Sequence, residues 1–78
     1  MKVEILSPEK SLFVGEADYV YLPGADGSLG ILNNHAPMIT TLKAGVVKIR
    51  VEKGSEQEFQ VNGGTVEVLN NKVTILAE

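Results

Sequence analysis

An all-β fold, an antiparallel sandwich or barrel of short strands, is what these 78 residues predict. Three observations carry that prediction. Apolar residues recur at every second position over short stretches, the pattern of a strand with one face on a core and one in water. Val and Ile fill most of those positions, as strand propensity favours. Clusters of Gly, Pro and Asn interrupt the stretches about every ten residues, the rhythm of strands and turns.

The elements follow in order. Val3 and Ile5 alternate with Lys2 and Glu4 in an opening strand that ends at the turn Ser7-Pro8. Pro23-Gly24-Ala25-Asp26-Gly27 makes the next turn, and Leu29, Ile31 and Leu32 lead from it to the polar corner Asn33-Asn34-His35-Ala36-Pro37. Pro37 drives Ala36 toward an extended conformation and stiffens the entry to Met38-Ile39. Beyond the break at Ala44-Gly45, Val47, Ile49 and Val51 alternate with Lys48, Arg50 and Glu52, and Lys53-Gly54-Ser55 closes that strand. Phe59 and Val61 alternate with Glu58 and Gln60, Val66 and Val68 flank Glu67, and Val73 and Ile75 flank Thr74 in a strand over Lys72–Ala77. Asn62-Gly63-Gly64 and Asn70-Asn71 read as tight turns, because Gly and Asn tolerate positive φ at little cost. The later part of the chain therefore reads as a meander of hairpins. A helix over Glu52–Phe59 fails, since Gly54 interrupts it and no apolar stripe recurs at helical spacing. With no linker, repeat or low-complexity run, residues 1–78 make a single domain.

Size and composition bound the chemistry. A chain this short buries only about 60% of the surface it exposes unfolded, which leaves little room for a deep enclosed cavity. The absence of Cys excludes disulfides, thiolate metal sites and a cysteine nucleophile, and a single His excludes sites built from several imidazoles. A net charge of −3 with scattered Lys and Arg is unsuited to holding nucleic acid or an anionic membrane. Lys2 and Glu4 interrupt the opening residues where a signal peptide needs an apolar run, and no stretch is long enough to span a bilayer. The expectation is a soluble, intracellular protein.

Several residue groups invite a functional reading, each with a plainer one beside it. Gly24, Gly27 and Gly30 suggest a phosphate loop, but no Lys and no helix N-terminus follow them, so they read as a turn and a bulge. Asp18 and Asp26 lack the alternating acidic ligands and closing Glu of a calcium loop. Asp26, Ser28 and His35 are the residue types of a hydrolase triad, but a triad is recognised by geometry, and no Gly-x-Ser-x-Gly elbow is present. The run Leu29–Pro37 reads equally as a structural corner or as an exposed recognition edge with Met38 as an adaptable contact.

That run is also where a resemblance enters. Val20-x-Leu22-Pro23-Gly24, Asp26-Gly27-Ser28-Leu29-Gly30-Ile31-Leu32 and His35-Ala36-Pro37 resemble the epsilon subunits of bacterial F-type ATP synthases. Gly63-Gly64-x-Val66-Glu67-Val68 and Asn71-Lys72-Val73-Thr74-Ile75-Leu76-Ala77 resemble that family's closing strands, and Leu6-Ser7-Pro8-Glu9-Lys10 with Phe13 and Gly15 its start. The resemblance covers the whole chain in order.

It implies a flattened antiparallel β-sandwich of about ten short strands. It implies a non-catalytic subunit of the rotor's central stalk, with no catalytic residue, cofactor or metal of its own. Such a subunit packs on the gamma subunit and touches the ring of c subunits. Proton flow turns that ring, and the stalk carries torque to the alpha and beta subunits. The location implied is peripheral, on the cytoplasmic face of a bacterial inner membrane, without direct insertion. Position by position, Asp26, Gly27 and Ser28 match the loop that meets the c ring, while Ser7, His35, Met38 and Thr40 match the gamma-facing region. Two departures stand out: Ser28 replaces a frequent acid, which implies a weaker ring contact, and Asn33-Asn34 replaces a frequent Pro-Gly. Many relatives continue into two C-terminal helices that inhibit ATP hydrolysis, and Glu78 stands where those helices begin.

Two other function classes compete. A stand-alone β-sandwich module binding a peptide or a glycan fits the fold alone, though its aromatic residues are only Phe13, Tyr19, Tyr21 and Phe59. A small hydrolase built on His35 ranks last, because no paired acid or base stands at useful spacing.

Overall fold

The structure, a computed structural model, describes residues 1–51 and 54–78. Its strands are β1 (Lys2–Leu6), β2 (Ser11–Glu16), β3 (Tyr19–Gly24), β4 (Gly27–Leu32), β5 (Met38–Arg50), β6 (Glu56–Leu69) and β7 (Lys72–Ala77). No α-helix occurs among the described residues. The strands form one ladder in the order β2-β1-β7-β6-β5-β3-β4. Neighbours are antiparallel except β1 and β7, which run parallel because β7 returns through the β6–β7 hairpin into the place beside β1.

The all-β reading holds, with seven strands where about ten short ones were expected. The difference lies in β5 and β6, which are 13 and 14 residues long and run straight through two of the expected turns. Ala44-Gly45 lies inside β5 and Asn62-Gly63-Gly64 inside β6, so neither reverses the chain. The register between β5 and β6 is unbroken from Met38↔Val68 to Arg50↔Glu56. What changes at those glycines is the face that meets the core. Leu42 is buried at an even position of β5, but Val47 and Ile49 at odd ones; in β6, Val61 is buried at an odd position and Val66 and Val68 at even ones. The paired strands thus turn one face inward over half their length and the opposite face over the other half. A single twisted ribbon thereby serves both layers, as the right-handed twist of two-stranded ribbons allows.

The expected turns at Ser7-Pro8, residues 23–27, residues 33–37 and Asn70-Asn71 are where the sequence puts them. The chain also reverses between β2 and β3 at Ala17-Asp18, where no Gly, Pro or Asn marks a turn. Ser7 closes the β1–β2 turn, its amide donating to the Lys10 carbonyl at 2.9 Å and its Oγ accepting from the Lys10 amide at 3.2 Å. Asn70 and Asn71, at φ 51° and 59°, form the two-residue β6–β7 turn in the left-handed conformation a primed hairpin needs. Glu52 and Lys53, read from the sequence as an outward strand position and a turn residue, lie outside the described residues. Flanking them, the Val51 amide donates to the Ser55 carbonyl at 2.8 Å.

One apolar cluster joins every strand. Val3, Ile5, Val73, Ile75, Val66 and Val68 come from one layer and Val20, Leu22, Ile31, Val47, Ile49 and Val61 from the other, with Phe13 and Phe59 packed at its margin. Each fully buried Val, Leu or Ile contributes about 1.5–3 kcal/mol relative to exposure. Close-packed protein interiors resist compression.

Candidate functional site

Three surfaces of the sandwich carry the candidate residues. The first is the tip of the β3–β4 hairpin. Gly24 pairs with Gly27, which leaves Ala25-Asp26 as a two-residue loop. Asp26, Gly27 and Ser28 are all exposed there. The Ala25 amide donates to the Thr41 carbonyl at 3.0 Å, so the tip is anchored on β5. The tip and His35 lie at opposite ends of β4, separated by about 13 Å of strand or more. Asp26 and Ser28 therefore do not meet His35, and no triad forms. Gly24 and Gly27 are hairpin residues and Gly30 lies within β4, all without a helix to orient a phosphate.

The second surface is the corner between β4 and β5. The His35 amide closes a turn on the Leu32 carbonyl at 3.2 Å, and the imidazole Nδ1 lies 2.7 Å from the Ala36 carbonyl. Asn33 Oδ1 accepts from the Met1 amino group at 2.6 Å, and the Asn34 amide donates to Asn71 Oδ1 at 2.7 Å. Asn33-Asn34 does more here than make a turn, because its groups lock the corner to β1 and to the β6–β7 turn.

The third surface is the outer face of β2, β1, β7 and the adjoining halves of β6 and β5. Met38 and Thr40 pair with the buried Val68 and Val66, so their side chains share the core-facing side and are half-buried. Ile39 between them points outward and is 74% exposed. In register with it across the outer face stand Glu67, Thr74, Glu4 and Val14. Leu69 and Leu76 share that face, and with Val14 and Ile39 they are among the large apolar residues most open to solvent. Lys72 Nζ meets Glu4 Oε1 at 3.5 Å within the same surface. Glu67, Leu69, Asn70, Lys72 and Thr74 line a shallow depression of about 260 Å³ beside it.

Of the gamma-facing candidates, His35, Met38 and Thr40 are consecutive along the corner and the start of β5. Ser7 stands at the end of β1, three strands from β5, or about 14 Å away at ordinary strand spacing. Sequence reasoning missed Val14, Ile39, Leu69 and Leu76. For Leu69 and Leu76 the signal was available, because inward Val66, Val68, Val73 and Ile75 put them at outward positions where alternation calls for a polar residue. For Ile39 it was not, because the parity of β5 changes at Ala44-Gly45.

The outer face of the other layer has a different chemistry. Tyr19 faces Arg50 and Tyr21 faces Lys48 in register, with the cationic groups 5.0 and 5.7 Å from the ring centroids. Glu56 and Glu58 continue those rows on β6. This is a solvated, charge-balanced surface.

Comparisons with known proteins give this geometry a context. The family described as ATP synthase, Delta/Epsilon chain, beta-sandwich domain matches residues 1–78. The chain is 47% identical over 79 residues to the ATP synthase epsilon chain of Herminiimonas arsenicoxydans, covering 100% of this chain and 56% of that one. It is 44% identical over 78 residues to the epsilon chain of Brevibacillus brevis, covering 100% and 59%. The chain thus spans a little over half the length of the curated relatives it matches. Among solved structures, a chain of the Euglena gracilis mitochondrial ATP synthase OSCP/F1/c-ring assembly superposes with a TM-score of 0.90 at 18% identity, covering 96% of this chain and 48% of that one. A chain of the Tetrahymena thermophila mitochondrial ATP synthase central stalk and c-ring does so with 0.83 at 24% identity, covering 97% and 61%. At these identities the likeness shows the fold.

Proposed function

The chain belongs to the ATP synthase delta/epsilon family through its β-sandwich domain, and on that premise we propose that it is a non-catalytic rotor component of the central stalk. In this reading it joins the gamma subunit to the c ring, and proton flow through the ring drives ATP synthesis at the alpha and beta subunits. The match across the whole domain carries the proposal, and the contrast between the two outer faces supports it. A β-sheet face with Ile39 three-quarters exposed beside Leu69 and Leu76 has apolar surface to bury on a partner, whereas the Tyr–cation face is already satisfied in water. We assign the gamma contact to the Ile39 face together with His35 and the margins of Met38 and Thr40, with Ser7 at its far edge. The c-ring contact falls on Asp26 and Gly27 at the hairpin tip, with Ser28 beside them.

The sandwich suits such a task mechanically, since a dense core between the two contacts passes force with little deformation. Attachment to the membrane is then indirect, through the ring, at the cytoplasmic face of a bacterial inner membrane. No helix among the described residues is long and apolar enough to cross a bilayer.

The test immobilises the chain and asks what it retains from detergent-solubilised membranes of its source. Recovery of gamma with alpha, beta and c is expected. Ile39→Lys should lower gamma recovery at least tenfold, about the effect of one buried apolar anchor turned into a charge. Recovery of none of these subunits by a folded chain overturns the reading. Tyr19 and Tyr21 side by side on the opposite face favour, as the second reading, a peptide- or glycan-binding module. Specific glycan retention without affinity for gamma would establish it.

A further inference from the structure

We propose that Ser28 is a positioning residue, which aims Asp26 by bracing the hairpin tip through Tyr21, rather than a residue that itself meets the c ring. The inference rests on the stalk reading and deepens it. Tyr21 and Ser28 are diagonal neighbours across the β3–β4 pair, and their hydroxyl oxygens lie 2.8 Å apart. Lys48, opposite Tyr21 on β5, sits over the Tyr21 ring and fixes it from the other side.

A brace is needed at this point because the ladder fails there. The β3–β5 register shifts between Tyr21 and Gly24, where Pro23 has no amide to donate. Beyond the gap the tip is tied to β5 at Gly24↔Leu42 and by the Ala25 amide on Thr41. Gly24 lets the hairpin close tightly, since a Cβ there would stand 2.5 Å from the Gly27 carbonyl oxygen and 2.6 Å from Leu29 Cδ2. The hydroxyl pair itself crosses the unbroken β3–β4 ladder. With Lys48 over the Tyr21 ring it carries a side-chain link from β5 to β4 beside the stretch where β3 and β5 lose their pairing. Its effect is to hold the exposed Asp26 in one direction, and a contact that transmits torque loses less to ordering when it is held beforehand.

Amide hydrogen exchange at Ala25 and Gly27 in the 78-residue chain tests the brace. Ser28→Ala and Tyr21→Phe should each speed exchange by about three- to tenfold, the span of one hydrogen bond, and the double variant should be no faster than either. Ser28→Thr keeps the hydroxyl and should restore the slow rate. Unchanged exchange in Ser28→Ala, or additive effects in the double variant, overturns the brace. Recovery of the c ring separates the two layers of the argument: Asp26→Ala should lower it without altering exchange, and Ser28→Thr should retain what Ser28→Ala loses. Ring recovery indifferent to Asp26→Ala, with the brace variants still loosening the tip, overturns the contact reading and leaves the brace intact. Loss of recovery in both Ser28→Ala and Ser28→Thr, with exchange unchanged, returns Ser28 to the contact itself.

Discussion

Asn62-Gly63-Gly64 and Asn70-Asn71 look alike as sequence and do opposite things. At Asn70-Asn71 both residues take φ values near 55°, and β6 ends and β7 begins. At Gly63 and Gly64 both φ values are 138°, and β6 carries on. Positive φ is common to the two sites; its kind differs. The left-handed region that Asn tolerates reverses the chain, whereas the mirror image of the extended region, open only to Gly, keeps it extended and turns its other face inward. The lesson is that a glycine pair between two alternating runs of opposite parity marks a change of face as readily as a hairpin.

Packing separates the sites further. A Cβ on Gly64 would lie 2.1 Å from the Leu76 carbonyl oxygen, so β7 approaches β6 at that residue as no other side chain permits. Gly64→Ala is the change expected to break the comparison most severely. It combines a forbidden φ with a backbone clash, a loss of about 3 kcal/mol or more, read as a fall in thermal midpoint of at least about 12 °C by circular dichroism. At Gly63 the nearest atom to a Cβ is the flexible Glu78 carboxylate at 3.2 Å, so Gly63→Ala should cost about 1–2 kcal/mol from φ alone. Equal effects at the two glycines would show that conformation, and not the approach of β7, governs the site. Asn70→Ala tests the turn itself, with an expected loss of about 1 kcal/mol because Ala is less at ease at φ 51°. Asn71→Gly should be the mildest: it relieves φ 59° but removes the acceptor for the Asn34 amide, and a net change within about 0.5 kcal/mol is expected in urea melts.

The candidate site divides in the same way. Asp26 and Gly27 at a tip, and His35 before Pro37 at a corner, are legible in the chain because turn chemistry is local. The direction of Met38, Ile39 and Thr40 is not, because it depends on the parity of β5. Val47 and Ile49 extrapolated backward put odd positions inward and so would bury Ile39. The change of face at Ala44-Gly45 reverses that, burying Leu42 and turning Ile39 out. The gathering of Val14, Leu69 and Leu76 onto the same face likewise follows from β7 lying between β1 and β6, a placement no local pattern encodes.

By itself, then, the sequence determined the all-β class, the apolar set that forms the core, the turns at Ser7-Pro8, residues 23–27, residues 33–37 and Asn70-Asn71 and, through ordered motifs, the family. Each of these follows from local backbone preference or from period-two burial, which neighbouring residues settle between them. Tertiary structure alone decided that β5 and β6 are continuous, that β1 and β7 are parallel, and which outer face is left apolar. Those depend on strand pairing between distant residues and on how closely two backbones approach, and such terms exist only once the chain has folded.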